Sequence, residues 1–513
     1  MTHSQHQLNI FDWVKNPNPS KKNLIIEAKA GSGKSTTLLG ASLLMRGSII
    51  FLAFNKKISL ELEHKLSNMG MPNAKASTIH KEGLGIYTKS KGRVKVNSSK
   101  VYYITEKYCQ SDTLSPARNF ITKLVGFAKQ NAFGVKGQTP IDDTQAWMDI
   151  IAHHDISLDA DCDYHTVIEV AKEVLKDSNR DYKNVDFDDM QYLPLIYDID
   201  CVKYDWVLVD EAQDTNVCRK LIVEKILAPN GRAIFVGDKK QSIYGFCGAE
   251  SNSMDLIKSK FDCDELPLSV CYRCAKNIII EAQKYCPEIE HFPSNPDGEV
   301  TSMKYDDFID KALEIGLGGN DGIVCRNNAP NVALAFALIR RGIGCRIEGR
   351  EIGTSLLTLV RKWKRIDDLD TFTEKLSKYF EKEFEKANYA KMQLLEDKLD
   401  TMIILIERCQ DLGKNDLKSL EKLILDMFTD TIDGVIPNVV TLSSIHKSKG
   451  LQWTNTYILG QDQFSPSKYA TTEHAKEEEQ NLIYVSITRA INKLTFITDV
   501  PQKRGNETEE CFH

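Results

Sequence analysis

The strand-like run Leu24–Ala28 passes straight into Lys29-Ala30-Gly31-Ser32-Gly33-Lys34-Ser35, and Thr36–Met45 continues with helical spacing. A strand, a glycine-rich loop and a helix in that order open a parallel α/β sheet and leave few other architectures available. Gly31 and Gly33 let backbone amides approach an anion, and the helix N-terminus adds a favourable dipole. Lys34 is placed to reach the β- and γ-phosphates of a nucleotide, and Ser35 to ligate Mg²⁺. Ala30, Gly31, Ser32, Gly33 and Thr36 line the same cradle. Ala28 stands where the usual eight-residue pattern has its first glycine, so the motif departs by one position.

A phosphate cradle needs an acidic partner at the end of a buried strand. Trp206–Val209 is such a run, and Asp210-Glu211-Ala212-Gln213-Asp214 follows at once. Asp210 is placed to hold the Mg²⁺, and Glu211 to orient and deprotonate the attacking water. Two acids after a strand also make an ordinary helix cap and first turn. Beside Lys34, nucleotide hydrolysis is the better reading.

Similar apolar runs recur at Ser48–Phe54, Ala233–Val236, Gly322–Cys325, Val439–Ile445, Thr456–Leu459 and Leu494–Thr498. Their continuous hydrophobicity fits strands covered on both faces. Residues from about 91 to 185 and from about 351 to 432 break the rhythm with charged, helix-patterned sequence, and Glu/Lys pairs flank an apolar stripe there. The expected fold is α/β, with two parallel-sheet cores each interrupted by a mostly helical insertion. The expected bounds are 1–90 and 186–265 for the first core, 91–185 for its insertion, 266–350 and 433–513 for the second core, and 351–432 for its insertion. A length of 513 residues suits three or four units of roughly 150 residues each.

Charge bears on partners. With 66 Lys+Arg against 72 Asp+Glu, the formal net charge of −6 argues against holding nucleic acid by bulk charge. It leaves room for local basic grooves. The 13 cysteines are odd in number and scattered, which reads as reduced thiols in a cytoplasmic protein. No apolar run approaches the ~18 residues of a membrane span, and the first residues lack the pattern of a secretory signal.

The GSGKS loop, the DEAQD string and the downstream Gly237-Asp238-Lys239-Lys240-Gln241-Ser242-Ile243-Tyr244-Gly245-Phe246 together resemble the UvrD/Rep-type superfamily 1 helicases. Further motifs follow in the family's order along nearly the whole chain. The resemblance implies two RecA-like motor cores. It makes His3–Val14 the adenine-recognition segment, with Gln7 reading the base. Phe51–Lys57 and Ser77–Gly83 look like the strand-end motifs that touch single-stranded DNA, through Phe54, Asn55, Thr78 and His80. Gln241 matches the residue that couples the γ-phosphate to DNA, and Tyr244 and Phe246 match base-stacking aromatics. In Leu268–Cys274, Tyr272 would stack on adenine and Arg273 meet the γ-phosphate. Val440–Leu451 resembles the motif that contacts DNA and nucleotide from the second core, through His446 and Gly450, with Gln452 just beyond it. Glu479–Ala490 looks like the last motif, with Arg489 a second arginine finger. Such arginines, supplied from a second body, can be worth ~10³–10⁵ in rate. Three departures stand out: Cys247 sits at a usual arginine, Gln452 at a usual glutamate, and Lys29 at a customary small residue.

Two basic stretches are candidate strand contacts. Lys89-Ser90-Lys91-Gly92-Arg93-Val94-Lys95, with Lys100, opens the first insertion, and Arg361-Lys362-Trp363-Lys364-Arg365 opens the second. Each reads equally as a phosphate track or a solvated face, and Trp363 as a base platform or a helix-core residue. The Cys271–Cys274 spacing lacks the second close pair of a zinc site, and His153, His154, Cys162 and His165 lack ligand spacing. Asp188-Asp189 reads as a helix start without a catalytic role.

The resulting expectation is an ATP- and Mg²⁺-dependent motor of bacterial or phage origin. It would act as a monomer on single-stranded and tailed duplex DNA, 3′ to 5′ as the resemblance implies, in replication, recombination or repair and beside proteins of those processes. Other readings are a DNA-stimulated ATPase that strips proteins or remodels forks without processive unwinding, and a nucleotide-gated binding module. RNA is a lesser substrate candidate.

Overall fold

The computed structural model describes residues 3–16, 22–154, 156, 158, 162–243, 252–341, 343–348, 350–363, 366–385, 389–427, 439–468, 470 and 472–501. The chain divides into two compact units, Met1–Val270 and Cys271–His513. Each is built on a six-stranded, all-parallel sheet of RecA-like type.

In the first unit the strands are β1 (Asn23–Ala28), β2 (Ile49–Ala53), β3 (Ala74–Thr78), β6 (Tyr204–Val209), β7 (Leu227–Gly237) and β8 (Cys263–Leu268). They lie in the order β3-β2-β6-β7-β1-β8. β2 is buried along its whole length, as its unbroken apolar sequence requires of a strand covered on both faces. Each strand feeds its connection at the same end of the sheet, so the residues just after β1, β2, β3, β6 and β7 share one edge, where parallel α/β sheets place their ligands.

Between β3 and β6 the chain forms helices Ile79–Lys91, Lys100–Tyr108, Arg118–Gln130, Thr144–His153, Tyr164–Arg180 and Asp189–Ile196. A short parallel ribbon of β4 (Lys95–Val96) and β5 (Asn184–Val185) ties the two ends of this excursion together. Its interior packs Trp147, Leu124, Val125, Val167 and Val174 without solvent exposure. Gly83 brings two helices close, because a Cβ there would lie 2.2 Å from the Met190 carbonyl oxygen.

One expectation is overturned here. Lys100 belongs to no exposed basic stretch: its side chain is 2% exposed, and its Nζ lies 2.7 Å from Asp189 Oδ2. Lys129, wholly buried, meets Asp186 Oδ2 at 2.6 Å and Asp189 Oδ1 at 2.7 Å. A buried ammonium is tolerable only with carboxylates at contact distance, and this cluster supplies them. The helix start expected at Asp188-Asp189 is present, with Asp188 at its cap position.

A small ribbon of β9 (Val270–Cys271) and β10 (Glu290–His291) precedes the second sheet. That sheet comprises β11 (Glu299–Lys304), β12 (Asp321–Cys325), β13 (Cys345–Ile347), β14 (Val440–Ser444), β15 (Trp453–Leu459) and β16 (Ala490–Thr498), in the order β11-β16-β15-β12-β14-β13. Gly322 in β12 admits the Trp453 ring, which a Cβ would meet at 2.0 Å. Helices Arg350–Lys362, Leu369–Phe384, Tyr389–Asp411 and Leu417–Met427 pack Leu356, Phe372, Leu376, Phe380, Met402 and Leu420 into the same core. Trp363 lies edge-on to Phe372 and Tyr379, at 5.9 and 5.5 Å between ring centroids. The neighbouring cations are also engaged within this helical layer. Arg361 pairs with Glu421 at 3.0 Å, and the Lys362 ammonium lies 3.9 Å from the Tyr379 ring centre. Lys364 and Arg365 lie outside the described residues.

The cysteines among the described residues carry free thiols. His154 stacks on Phe127 at 3.9 Å, and among the described residues no cluster of three His, Cys, Asp or Glu side chains is placed to hold a metal. No helix among them is long and apolar enough to cross a membrane.

Candidate active site

Three adjacent strands, β6, β7 and β1, deliver the chemistry of the first unit to one edge. After β1 the backbone turns through Gly31 (φ 67°) and Gly33 (φ 81°), both left-handed, and helix Lys34–Ser42 begins at once. The first amides of that helix have no intrahelical acceptor and point toward the loop. Ser32 is fully buried, and its Oγ finds no hydrogen-bond partner in the protein. An orphaned hydroxyl beside unspent amides fits a phosphate group, so the loop suits a nucleotide. Lys29 does not intrude, because its ammonium turns aside to Glu27 at 2.7 Å.

β6 runs out into Asp210, whose amide still donates to the Leu52 carbonyl of β2. Glu211 then adopts φ 52°, a left-handed conformation that costs a non-glycine residue of order 1 kcal/mol or more. The turn aims its carboxylate at the phosphate loop. Glu211 Oε1 lies 3.2 Å from Lys34 Nζ, and Oε2 accepts from Gln213 Nε2 at 2.5 Å. Gln213 Oε1 in turn accepts from the Asp238 amide at the end of β7, and Asp238 Oδ2 accepts from Gln241 Nε2 at 2.7 Å. Asp210 Oδ1 accepts the Glu211 amide at 3.0 Å, so Glu211, Lys34, Asp210 and Gln241 meet in one polar network.

Burial alone would lower the Lys34 pKa, but Glu211, Asp210 and Asp238 outweigh it and hold the ammonium charged, above its ordinary value. Burial pushes the Asp238 carboxyl up, against the pull of Lys34 and Lys29. Sequence reasoning gave Asp238 and Gln213 no role. Their position within the quoted motifs was the available signal. For a magnesium ion the donors at hand are Ser35 and Asp210. Mg²⁺ keeps several waters and substrate phosphates, so so small a protein share fits its chemistry.

Gln7 sits over the same loop. Its Nε2 donates to Thr37 Oγ1 at 3.0 Å, and its Oε1 accepts the Ser4 amide in a reciprocal capping box at the start of helix Gln5–Lys15. Thr36 is exposed on the next helix.

The ends of β2 and β3 carry the residues read as strand contacts. Phe54 is exposed, while Asn55 and Thr78 cap the helices Lys56–Asn68 and Ile79–Lys91 through Ile58 and Lys81. His80 shares a small void with Phe54, Asp210 and Glu211. Burial, helped by the Arg219 charge, lowers its pKa to about 4, so the ring is a neutral imidazole near pH 7. Phe187, 57% exposed, stands edge-on to His80 at 6.3 Å and was not singled out from the sequence. Tyr244 and Phe246, and Cys247 with them, lie outside the described residues.

In the second unit, Tyr272 packs against Phe292 at 4.7 Å. Asn295 Nδ2 donates to the carbonyls of Cys271 and Cys274, both at 2.8 Å, and so closes the turn that carries Tyr272 and Arg273. Arg273 Nη1 lies 3.4 Å from the Thr488 carbonyl. Arg489 is 2% exposed and donates to the carbonyls of Val485 and Leu451, which places it inside the unit. Arg489 Nη2 also donates to Thr488 Oγ1 at 3.2 Å, so Arg273 and Arg489 converge on Thr488. His446 lies just after β14, and burial, then Arg326 and Lys449, bring its pKa to about 3. Gly450 takes φ 89° in the following turn, and Gln452 is exposed.

Residues 13–262 match the model of the UvrD/REP helicase N-terminal domain. A DNA helicase II of Salmonella typhimurium is 22% identical over 56% of this chain and 55% of its own length. The ATP-dependent DNA helicase Rep of Buchnera aphidicola is 25% identical over 56% of this chain and 44% of its own. A probable DNA helicase II homolog of Mycoplasma pneumoniae reaches 32%, over 18% of this chain and 14% of that protein. The chain spans about half the length of the curated relatives it matches. Through residues 13–262, the chain is similar to the N-terminal domain of the UvrD/REP helicases, and the relatives that match it carry names of the same kind.

Proposed function

We propose that the chain hydrolyses ATP with Mg²⁺ to move along single-stranded DNA and unwind duplexes, 3′ to 5′, in replication, recombination or repair. The observation that carries this reading is the shared sheet edge. There the Lys34–Glu211 pair lies next to the strand ends that bear Phe54 and His80.

Amides of the Gly31–Lys34 turn and the Lys34 ammonium would grip the phosphates, and Gln7 would read the base. Glu211, held by Gln213, would take the proton of the attacking water, while Gln241 answers to the γ-phosphate. Ser35 and Asp210 would hold Mg²⁺, which when bound neutralises charge between the phosphates. Arg273 and Arg489 are assigned to transition-state charge, Tyr272 to adenine, and Gly450 and Gln452 to the nucleotide's surroundings. Phe54, His80 and Phe187 offer flat faces on which bases stack without regard to sequence, with Asn55, Thr78 and His446 beside the backbone. Such contacts suit an acidic protein that must release the strand at every step.

The test compares ATP turnover with and without single-stranded DNA, then strand displacement on 3′- and 5′-tailed duplexes. Turnover indifferent to DNA would refute the motor. Stimulation without displacement would leave a translocase that strips proteins or remodels forks.

A further inference from the structure

Arg219 lies on the helix Val217–Ile226, immediately after the acidic turn, and its side chain reaches back into the void lined by Phe54, His80, Asp210, Glu211 and Thr215. That void joins the strand-facing end of β2 and β3 to the acid at the end of β6. Arg219 borders both sides. Its Nη1 donates to the Asp214 carbonyl at 2.8 Å, and the Asp214 amide donates to the Glu211 carbonyl at 3.0 Å, closing the short 3₁₀ turn Ala212–Asp214. On the other side, the guanidinium charge is felt by the His80 ring. The Arg219 backbone is fixed where it is, because its amide donates to Asn216 Oδ1 at 2.9 Å.

Glu211 is sensitive to that turn. Its left-handed φ of 52° is held by the surrounding bonds rather than by its own preference. Its carboxylate also divides between Lys34 and Gln213, so a small rotation of the turn re-aims the group between two partners. A guanidinium carries several donors in a rigid fork and binds phosphate oxygens in the same geometry as carboxylates. A DNA phosphate arriving beside His80 would therefore compete with the Asp214 carbonyl for the same cation. Any movement of Arg219 toward the strand would pull on, or release, the turn that carries Glu211.

We propose that Arg219 is the positioning residue through which a DNA strand lying on Phe54 and His80 re-aims Glu211, so that strand binding accelerates hydrolysis. This rests on the ATPase-motor reading of the same site. Arg219 itself makes no contact with the reacting atoms. It acts through the Asp214 carbonyl and the turn.

The experiment measures ATP turnover of the full chain without DNA and with saturating oligothymidylate, for the wild type, Arg219→Gln and Arg219→Lys. Strand affinity is followed by anisotropy and folding by thermal melting. With strand at saturation, Arg219→Gln should lose stimulation by about tenfold to a hundredfold, the scale of a small misplacement of a catalytic group, and any loss of strand affinity should be too small to account for it. Arg219→Lys keeps the charge but not the fork and should recover only part of it, and it decides the matter if the Gln variant melts early. Full stimulation in either folded variant would overturn the inference and leave the motor reading intact. A fall in strand affinity that accounts for the lost stimulation would overturn it too, making Arg219 an ordinary strand contact. Absence of stimulation in the wild type would remove the motor reading and this inference together.

Discussion

Lys34 Nζ lies 3.2 Å from Glu211 Oε1, so the lysine of the phosphate loop and the acid of the neighbouring strand end hold each other in place. The pair is mostly shielded, at 13% and 18% side-chain exposure, and an ion pair at that depth orients both partners. Lys34→Ala should remove turnover and weaken ATP binding, because phosphate charge loses its cation. Glu211→Gln should lower turnover by about 10²–10⁴-fold, the usual worth of a positioned base, while ATP still binds. Steady-state hydrolysis and binding of a fluorescent ATP analogue separate the two. Full activity in either variant refutes the assignment.

Asn295 gives a second prediction. Its amide bridges the carbonyls of Cys271 and Cys274 and shapes the loop that presents Tyr272 and Arg273. Asn295→Ala leaves two acceptors short of a donor in a buried place, at a cost of about 1–3 kcal/mol. Thermal melting should fall accordingly. If the loop serves nucleotide binding, KM for ATP should rise more than kcat falls, whereas a purely structural role predicts lost stability with KM unchanged.

The sheet edge was legible because its signals are local. A glycine loop ahead of Lys34 and an acidic pair behind Trp206–Val209 each announce a strand end within a few residues, and the structure puts both on one edge. Lys100 was misread for the opposite reason. Nothing near it in sequence reveals Asp189, 89 positions away, and a lysine among lysines looks solvated until the fold closes over it. Phe187 escaped notice in the same way, since only the fold brings its ring to His80.

That buried cluster also sets a pH response. Burial, with Asp186 close by, raises the Asp188 carboxyl to about 6, against the pull of Lys129. An unfolded aspartate titrates near ~3.9, so the folded chain binds this proton more tightly. The group's contribution to stability is then complete below pH ~4 and is lost as pH rises through about 6. Asp188→Asn keeps an oxygen to accept from Gln130 Nε2, now 3.2 Å from Oδ1, without the charge. The variant should be more stable than the wild type by about 1–2 kcal/mol at pH 8, and the gap should close toward pH 4. Melting curves across that range check the slope, and a gap that does not depend on pH would assign it to packing.

The surroundings of Trp363 favour a core residue over a base platform. Its ring is wedged against Phe372 and Tyr379, and the Lys362 ammonium lies 5.2 Å from its centre. Phe372 is fully buried, so deleting the indole would open a gap that helices Arg350–Lys362 and Leu369–Phe384 cannot both close. Trp→Ala in a packed site costs about 3–5 kcal/mol, and the partial exposure of this ring places it at or below the lower end. Trp363→Ala should therefore lower the melting temperature clearly, while Trp363→Phe, which keeps an aromatic wedge, recovers most of the loss. Strand affinity, measured at a temperature where both variants remain folded, should match the wild type. A stable Ala variant with weakened strand binding would instead make Trp363 a stacking platform.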